Sequence, residues 1–234
     1  MNATPTIPEA VSLPEILPLF PLTGALLLPH GHFPLNIFEP RYLNMVADAM
    51  AGTVAGAECG DGGGARMIGI IQPVHAEPDP VSERAKVFNV GCAGRITSFR
   101  ETEDGRYLIV LQGVCRFDVV RELELDSKRG YRRAAVNYDD FMDDLVDEAG
   151  TLDDRPRLLK AVNEFFGFRK LSPDWQAIEE TDDATLVSSL AMICPFEVPE
   201  KQGLLECADM ACRETLLTSL LEMGAHPGGV SSFH

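Results

Sequence analysis

Residues 16–42 read "ILPLFPLTGALLLPHGHFPLNIFEPRY", and this stretch decides the fold of the chain. Its first 23 residues contain no Asp, Glu, Lys or Arg, which is long enough for a helix that crosses a bilayer. Such a helix needs an unbroken ladder of backbone hydrogen bonds, and each proline inside it removes one of them. The prolines inside this run are Pro18, Pro21, Pro29 and Pro34. The stretch therefore predicts short extended segments separated by turns, as in a barrel or curled sheet, and no membrane span.

The same stretch also lacks the pattern of a secretion signal. A signal peptide places basic residues before its apolar run, whereas Glu9 and Glu15 precede this run and the first basic side chain is Arg41. The chain has six cysteines and no C-x-x-C pair, and most of them lie in apolar contexts where a reduced thiol behaves as a small hydrophobe. We therefore expect a cytoplasmic protein with free thiols.

The composition is that of a globular protein. The 234 residues are 45% apolar and 24% charged, and the formal net charge is −16. A field of that sign repels polyanions, so nucleic acid and anionic membrane surfaces are not expected as general partners. An acidic composition also favours solubility, so the charge by itself does not define a function.

Residues 39–52 change from the period of a strand to the period of a helix. The residues that share one face at helical spacing are Tyr42, Met45, Val46 and Ala49. Pro40 suits the first turn of a helix and Gly52 suits its end. Glu39, just before the helix, is expected to accept hydrogen bonds from the free N–H groups of that first turn.

Strand patterns fill the rest of the chain up to residue 141. Apolar runs at 16–22, 25–28 and 33–38 come before the helix, and runs rich in strand-forming residues follow it at 66–74, 86–101, 107–113, 115–123 and 131–141. The pair Asp104-Gly105 predicts a tight hairpin between two of them. Together these patterns predict six or seven strands and one helix, arranged as a small mixed barrel.

Helical patterns take over after residue 154. We expect one helix from Pro156 to Gly167, a second that Pro195 ends, and a single long helix from Pro199 to Gly224. Eight acidic residues and no basic one lie between residues 139 and 154, which predicts a solvated hinge.

The fold class expected from these patterns is α+β. We divide the chain into a flexible leader, a barrel subdomain, an acidic hinge, a helical subdomain and a flexible tail. The corresponding boundaries are 1–12, 13–140, 141–154, 155–224 and 225–234.

Two separated motifs resemble the N-terminal domain family of Lon, the ATP-dependent protease La. The first motif, at residues 17–46, reads "LPLFPLTGALLLPHGHFPLNIFEPRYLNMV". The second, at residues 87–120, reads "VFNVGCAGRITSFRETEDGRYLIVLQGVCRFDVV" and contains a Val-Gly pair, the Asp-Gly hairpin and a Val-Leu-x-Gly run before an Arg-Phe pair. The resemblance covers Leu13 to Gly224. Stand-alone bacterial members of the family share it. It implies a PUA-like β-barrel followed by a helical bundle.

The resemblance also implies a function. The Lon N-terminal domain is a non-catalytic module that recognises substrates, so we expect a protein- or peptide-binding module that engages unfolded or exposed segments, as an adaptor or holdase beside Lon or another protease. We expect no enzymatic activity and no cofactor, because the chain has neither the phosphate loop of the Lon ATPase module nor its Ser-Lys protease domain. The alternative is an RNA-binding PUA-like protein.

Four residues around the start of the predicted helix are candidates for peptide contact, namely Phe33, Phe38, Arg41 and Tyr42. A structural role, with Arg41 paired to a carboxylate, is the competing interpretation. No catalytic residue is predicted, because no serine or cysteine lies in a nucleophile motif. No metal site is predicted either: the three histidines considered for one are expected to be exposed loop residues, namely His30, His32 and His75.

The RNA-binding alternative depends on a basic cluster, "SKRGYRR", at residues 127–133. Four cations and a tyrosine could contact phosphates. An acidic run follows within ten residues, however, and it is expected to cancel much of the positive field of the cluster, since the electrostatic screening length is about 8 Å. We therefore interpret the cluster as an intramolecular or solvated charge patch. The sequence leaves the oligomeric state open.

Overall fold

The computed structural model describes residues 12–54, 66–76, 81–82, 84–146, 150–170 and 172–225. The strands in these ranges are β1 (Ile16–Pro21), β2 (His32–Ile37), β3 (Met67–Ile71), β4 (Val90–Glu101), β5 (Tyr107–Glu122) and β6 (Arg132–Asn137). The α-helices are α1 (Pro40–Ala51), α2 (Arg155–Phe168), α3 (Trp175–Glu180), α4 (Asp183–Ile193), α5 (Val198–Glu206) and α6 (Met210–Ala225), and a 3-10 helix spans Asp139–Leu145. This mixture of a sheet and helices is the predicted α+β class.

The six strands form one sheet in the order β2-β5-β4-β3-β1-β6. β1 runs parallel to β3, and every other pair is antiparallel. Because β6 also pairs with β5, the pairing closes into a ring of five strands, β5-β4-β3-β1-β6. The length of β5 makes this possible, since its first half pairs with β2 and its last residues pair with β6. β2 is therefore an added edge strand outside the ring.

The local turn and helix predictions are confirmed. Gly105 lies between β4 and β5 with φ +78°, and the N–H of Thr102 donates to the carbonyl of Arg106 across this turn at 2.8 Å. α1 begins at Pro40 and ends at Ala51, and Gly52, with φ +68°, caps its C-terminus. The predicted face of α1 is the buried one, with Tyr42, Met45, Val46 and Ala49 in the core.

The apolar run at 25–28 differs from the prediction. It is not a strand, although Leu26, Leu27 and Leu28 are buried in the larger of two apolar clusters. That cluster joins side chains of the sheet to side chains of α1, α2, α4 and α6. The smaller cluster contains Leu17 and Leu19 of β1 together with Phe117 of β5.

The prediction of one long helix from Pro199 to Gly224 is wrong. The helix is interrupted between Glu206 and Met210, so that α5 and α6 are separate. Asp209 starts the second helix, because its side chain accepts a hydrogen bond from the N–H of Cys212 at 2.8 Å. The short helix α3 was not predicted.

Arg116 of β5 connects the sheet to this interruption. Its guanidinium donates to the carbonyls of Leu205 (3.1 Å) and Cys207 (2.6 Å) at the end of α5. It also forms a two-pronged ion pair with Asp144, with Nη2 and Nε 2.7 and 2.9 Å from the two carboxylate oxygens. The side chains of Arg116 and Asp144 are only 7% and 8% exposed, so the predicted solvation of the acidic segment does not hold at Asp144.

The basic cluster at 127–133 was expected to be either intramolecular or solvated, and two of its arginines pair within the molecule. Arg129 pairs with Asp48 of α1, and the hydroxyl of Tyr131 donates to the same carboxylate at 2.7 Å. Arg132 pairs with Glu122 of β5 at 2.5 Å. These cations therefore connect α1, β5 and β6 instead of forming an open basic face.

Candidate functional site

A cleft of about 380 Å³ lies where the segment before β2 faces α4. One wall is residues 29–32, the "PHGH" of the sequence. The other wall belongs to α4 and the residue before it: Asp182, Ala184, Thr185, Ser188, Ser189, Met192 and Ile193. The cleft is thus a junction between the sheet and the helical region, and its volume lies within the range of ordinary ligand sites.

Backbone contacts hold the first wall against the sheet. The N–H of His30 donates to the carbonyl of Gly113 at 2.9 Å, and the N–H of Gly113 donates to the carbonyl of Gly31 at 2.8 Å. His30 adopts φ +62°, a left-handed conformation that is uncommon for a residue with a Cβ. A Cβ on Gly31 would lie 2.5 Å from the sulfur of Met192. Glycine at this position therefore allows the segment to approach α4 closely.

The sequence of α4 separates a buried side from a cleft side. The buried residues are Leu186, Val187, Leu190 and Ala191. The cleft residues Thr185, Ser188, Ser189 and Met192 recur at spacings of three or four, which places them along one face of a helix. The sequence therefore directs small hydroxyl side chains and one thioether into the cleft.

The two ends of the cleft differ in polarity. At the N-terminal end of α4, Asp182 accepts a hydrogen bond from the N–H of Thr185 at 2.9 Å. The hydrogen bond from the backbone N–H of Thr185 lowers the pKa of the Asp182 carboxyl most, and one from the Thr185 side chain lowers this pKa further. The Asp182 side chain is therefore an anion at neutral pH. At the other end, the side chain of Ile193 is 68% exposed next to Met192. Among the described residues, those that line the cleft include no lysine or arginine.

The four residues predicted to contact peptides do not form one surface. Phe38 is 56% exposed just after β2, whereas Phe33 on β2 packs against the larger apolar cluster. Tyr42 is 4% exposed, and its ring centroid lies 4.1 Å from that of Phe20. Arg41 stacks on the Tyr42 ring, with its guanidinium carbon 4.5 Å from the ring centroid. The peptide-contact role of this set stays a prediction.

Glu39 and Arg41 contact each other. The Nε of Arg41 is 3.0 Å from the Glu39 carboxylate, and its Nη2 donates to the carbonyl of Val81 at 2.9 Å. The side chain of Glu39 makes no capping hydrogen bond to α1, so the predicted cap is replaced by this ion pair. Arg41 therefore pairs with a carboxylate, as the structural interpretation expects, but this carboxylate belongs to Glu39, two residues earlier, and not to a strand of the sheet.

The histidines considered for a metal site lie in two places. His30 and His32 line the cleft, where the Nε2 of His30 is 3.0 Å from the carbonyl oxygen of Asp144. His75 is in the segment after β3. Within the described ranges, no three His, Cys, Asp or Glu side chains are grouped as metal ligands.

The sequence did not predict that one face of α4 lines a cleft. The helical spacing of the sequence predicts one apolar face formed by Leu186, Leu190 and Ile193. Leu186 and Leu190 are buried, but Ile193 is 68% exposed, so the prediction is wrong at that residue. A weak signal was present in the spacing of Thr185, Ser188 and Ser189. That spacing could not show which part of the chain, 29–32, lies opposite.

The buried cysteines are poor nucleophiles. Desolvation by burial raises the pKa of the Cys115, Cys194 and Cys207 thiols to about 12. It also raises the pKa of Cys92 well above its usual range. At pH 8 a thiol with a pKa near 12 is ionised in about one molecule in ten thousand, and the thiolate is the reactive form.

These pKa shifts predict the pattern of cysteine alkylation. With iodoacetamide at pH 8, the exposed Cys212 should be modified in the folded protein, and the four buried cysteines should react only after denaturation. Peptide mapping by mass spectrometry, with a sample in 6 M guanidinium as control, measures each site. Modification of Cys194 in the native protein at the rate of Cys212 would contradict the burial described here.

Comparisons with known proteins agree with the fold. The model of the ATP-dependent protease La (LON) substrate-binding domain matches residues 16–223. Lon protease of Trichlorobacter lovleyi is 28% identical over 217 residues, which cover 91% of this chain and 24% of that protein. Lon protease 2 of Myxococcus xanthus is 24% identical over 94% of this chain and 25% of that protein. The chain therefore spans about a quarter of the length of these curated relatives.

Solved structures give the same result. The crystal structure of a Lon N-terminal domain protein from Xanthomonas campestris aligns with a TM-score of 0.57 and 24% identity, covering 87% of this chain and 97% of that one. The N-terminal domain of Mycobacterium avium complex Lon protease aligns with a TM-score of 0.54 and 15% identity, covering 88% and 97%. Among the described helices, none has the length and apolar character of a bilayer span. The family model covers most of the chain, and the chain belongs to the Lon substrate-binding domain family.

Proposed function

We propose that this chain is a non-enzymatic recognition module that captures extended apolar segments of other proteins in the cleft between residues 29–32 and α4. The observation that carries the proposal is the exposed Ile193 beside Met192 at one end of that cleft. A large aliphatic side chain that is mostly in water, at the mouth of a cavity, is a suitable contact for an apolar side chain of a partner. Family membership supports the same function.

The architecture suits this role. In this proposal the closed ring of strands is the PUA-like barrel, and α2 to α6 form the helical bundle that the family resemblance implies. The cleft lies where the two meet, so a bound segment contacts both. The module acts in the cytoplasm as an adaptor or holdase in protein quality control, and its partners are unfolded or exposed segments of proteins that Lon or another protease degrades.

The cleft offers two kinds of contact to such a segment. An apolar side chain packs on Met192 and Ile193, while the hydroxyls of Thr185, Ser188 and Ser189 hydrogen-bond to the backbone of the segment. Backbone contacts of this kind do not depend on sequence, which suits a module that accepts many clients. Each site binds with modest affinity, and several apolar segments in one unfolded client increase the apparent affinity.

Phe38 extends the proposed surface. β2 begins at His32 in the cleft and ends at Ile37, so Phe38 lies about 20 Å away at the other end of the same strand. An extended segment that leaves the cleft along β2 reaches it after about six residues. In this proposal, the backbone on either side of Phe38 is fixed by Phe33, Arg41 and Tyr42. The RNA-binding alternative has no comparable support, because Arg129 and Arg132 are paired with carboxylates.

An Ile193→Glu variant tests the proposal. We expect its affinity for a fluorescein-labelled, permanently unfolded protein, measured by fluorescence anisotropy, to fall about tenfold, because burying an exposed aliphatic side chain contributes about 1.5 kcal/mol or more. The matched control is Met223→Glu on α6, where the side chain is 62% exposed and lies outside the cleft. Both variants should unfold at the wild-type urea concentration. Equal binding by all three proteins would refute the cleft as the capture site.

A further inference from the structure

The charges of the cleft are one-sided. Asp182 supplies a carboxylate, and the described lining contains no lysine or arginine. Its other titratable groups are the imidazoles of His30 and His32. One oxygen of this carboxylate, Oδ1, accepts the hydrogen bond from Thr185, while the side chain also borders the cavity. The N-terminus of α4 carries only about half a positive charge, so the full charge of the carboxylate dominates this end of the cleft. The net charge of −16 adds a background of the same sign.

The neighbouring acidic residue does not share this role. Asp183 pairs with Arg155 and accepts a hydrogen bond from the N–H of Leu152 at 2.9 Å. It is absent from the cleft lining. The two adjacent aspartates are therefore different: Asp183 holds α2 and α4 together. Asp182 borders a cavity whose described lining contains no lysine or arginine to pair with its charge.

The apolar and anionic ends of the cleft are separated by a defined length. From Asp182 to Ile193 the helix rises by about 16 Å, at about 1.5 Å per residue. An extended peptide advances about 3.3 Å per residue. A peptide side chain seated on Ile193 is thus about five residues away from one that reaches Asp182.

We propose that the cleft selects segments in which a lysine or arginine lies about five residues from an apolar anchor, because Asp182 and the Met192–Ile193 end are matched to those two side chains at once. This inference rests on the proposed function, and it names the class of segment that the same site takes. An acidic residue at that position meets the Asp182 carboxylate and weakens binding. The cleft therefore discriminates between clients by the charge that accompanies their apolar residues.

Synthetic peptides separate this inference from the capture function. Three fluorescein-labelled peptides in a Gly-Ser background each carry one leucine. Five positions away from it on either side, the first peptide has Lys, the second Ser and the third Glu. A fourth peptide carries Lys two positions away. In anisotropy titrations at pH 8 and low salt, the dissociation constant of the Lys peptide should be about three- to fivefold lower than that of the Ser peptide, as expected for a partly exposed ion pair. The dissociation constant of the Glu peptide should be higher than that of the Ser peptide. The peptide with the shorter spacing should bind like the Ser peptide.

The Asp182→Asn variant assigns the effect to one carboxylate. Asparagine caps a helix about as well as aspartate, so the variant keeps the hydrogen bond to Thr185 and loses the charge, and its thermal unfolding should match that of the wild type. We expect the three peptides with five-residue spacing to bind this variant within twofold of one another. Equal binding of the Lys, Ser and Glu peptides to the wild type would overturn the charge selection and leave the capture function intact. A preference for the Lys peptide that survives in Asp182→Asn would have the same consequence. No binding of any peptide, together with an unchanged Ile193→Glu variant, would instead overturn the capture function.

Discussion

An Arg116→Met variant is expected to unfold with a free energy about 3–5 kcal/mol smaller than that of the wild-type protein. Methionine fills much of the same space, but it leaves the buried Asp144 carboxylate without its cation and the carbonyls of Leu205 and Cys207 without their donor. An uncompensated charge in the interior costs more than the ion pair itself contributes. Urea unfolding followed by far-UV circular dichroism measures the difference.

Two further variants show whether the loss comes from the buried charge. In Arg116→Met/Asp144→Asn a neutral amide replaces the carboxylate, and about 1–2 kcal/mol of the loss should return. The matched surface control is Arg106→Met in the β4–β5 turn, where the partner Asp104 is also in water. This control should keep the wild-type urea midpoint. The proposed role of Arg116 is wrong if Arg116→Met shows the same midpoint as Arg106→Met.

A Gly113→Ala variant is expected to lose about 3 kcal/mol of stability. The added Cβ would lie 2.0 Å from the carbonyl oxygen of Leu28 and 2.8 Å from its carbon. Both are backbone atoms, so no side-chain rotation relieves the contact, and the chain must separate at the place where Gly113 hydrogen-bonds to His30 and Gly31. Overpacking against a rigid neighbour has costs of this size. The thermal midpoint should fall by about 6–12 °C.

Gly167→Ala is the matched control for this substitution. Gly167 lies in α2, and nothing comes within 4 Å of a Cβ built there. Alanine favours a helix over glycine by about 0.5–1 kcal/mol, so the same chemical change should raise the thermal midpoint slightly. Because Gly113 positions the first wall of the cleft, only Gly113→Ala should also weaken the binding of an unfolded client. A stable Gly113→Ala protein with wild-type affinity would contradict the close approach described here.

Elements whose signals lie within a few neighbouring residues could be predicted from the sequence. Pro40 and Gly52 bound α1, and Gly105 adopts the positive φ that a tight hairpin needs. These residues act through their own backbone preferences, which do not depend on the rest of the chain. The basic cluster was interpreted as intramolecular or solvated, but its carboxylate partners, Asp48 and Glu122, lie outside the acidic run on which that interpretation depended.

Features that depend on distant partners could not be predicted. The run from Val198 to Ala225 has a helical pattern throughout, yet Arg116, about ninety residues earlier, binds the carbonyls at the point where α5 ends. The cleft has the same origin, since residues 29–32 and α4 are brought together only when the sheet and the helices pack. Asp144 was expected in water for a related reason, because its partner Arg116 lies 28 residues earlier, on β5.

The pairing of β1 with β6 has a consequence for synthesis of the chain. About 110 residues separate the end of β1 from the start of β6, and translation adds about 5–20 residues per second. The apolar β1, with Leu17 and Leu19, therefore waits about 5–20 seconds after its own translation before its antiparallel partner exists. During that interval the growing polypeptide displays an extended apolar segment of the kind that the finished cleft is proposed to bind.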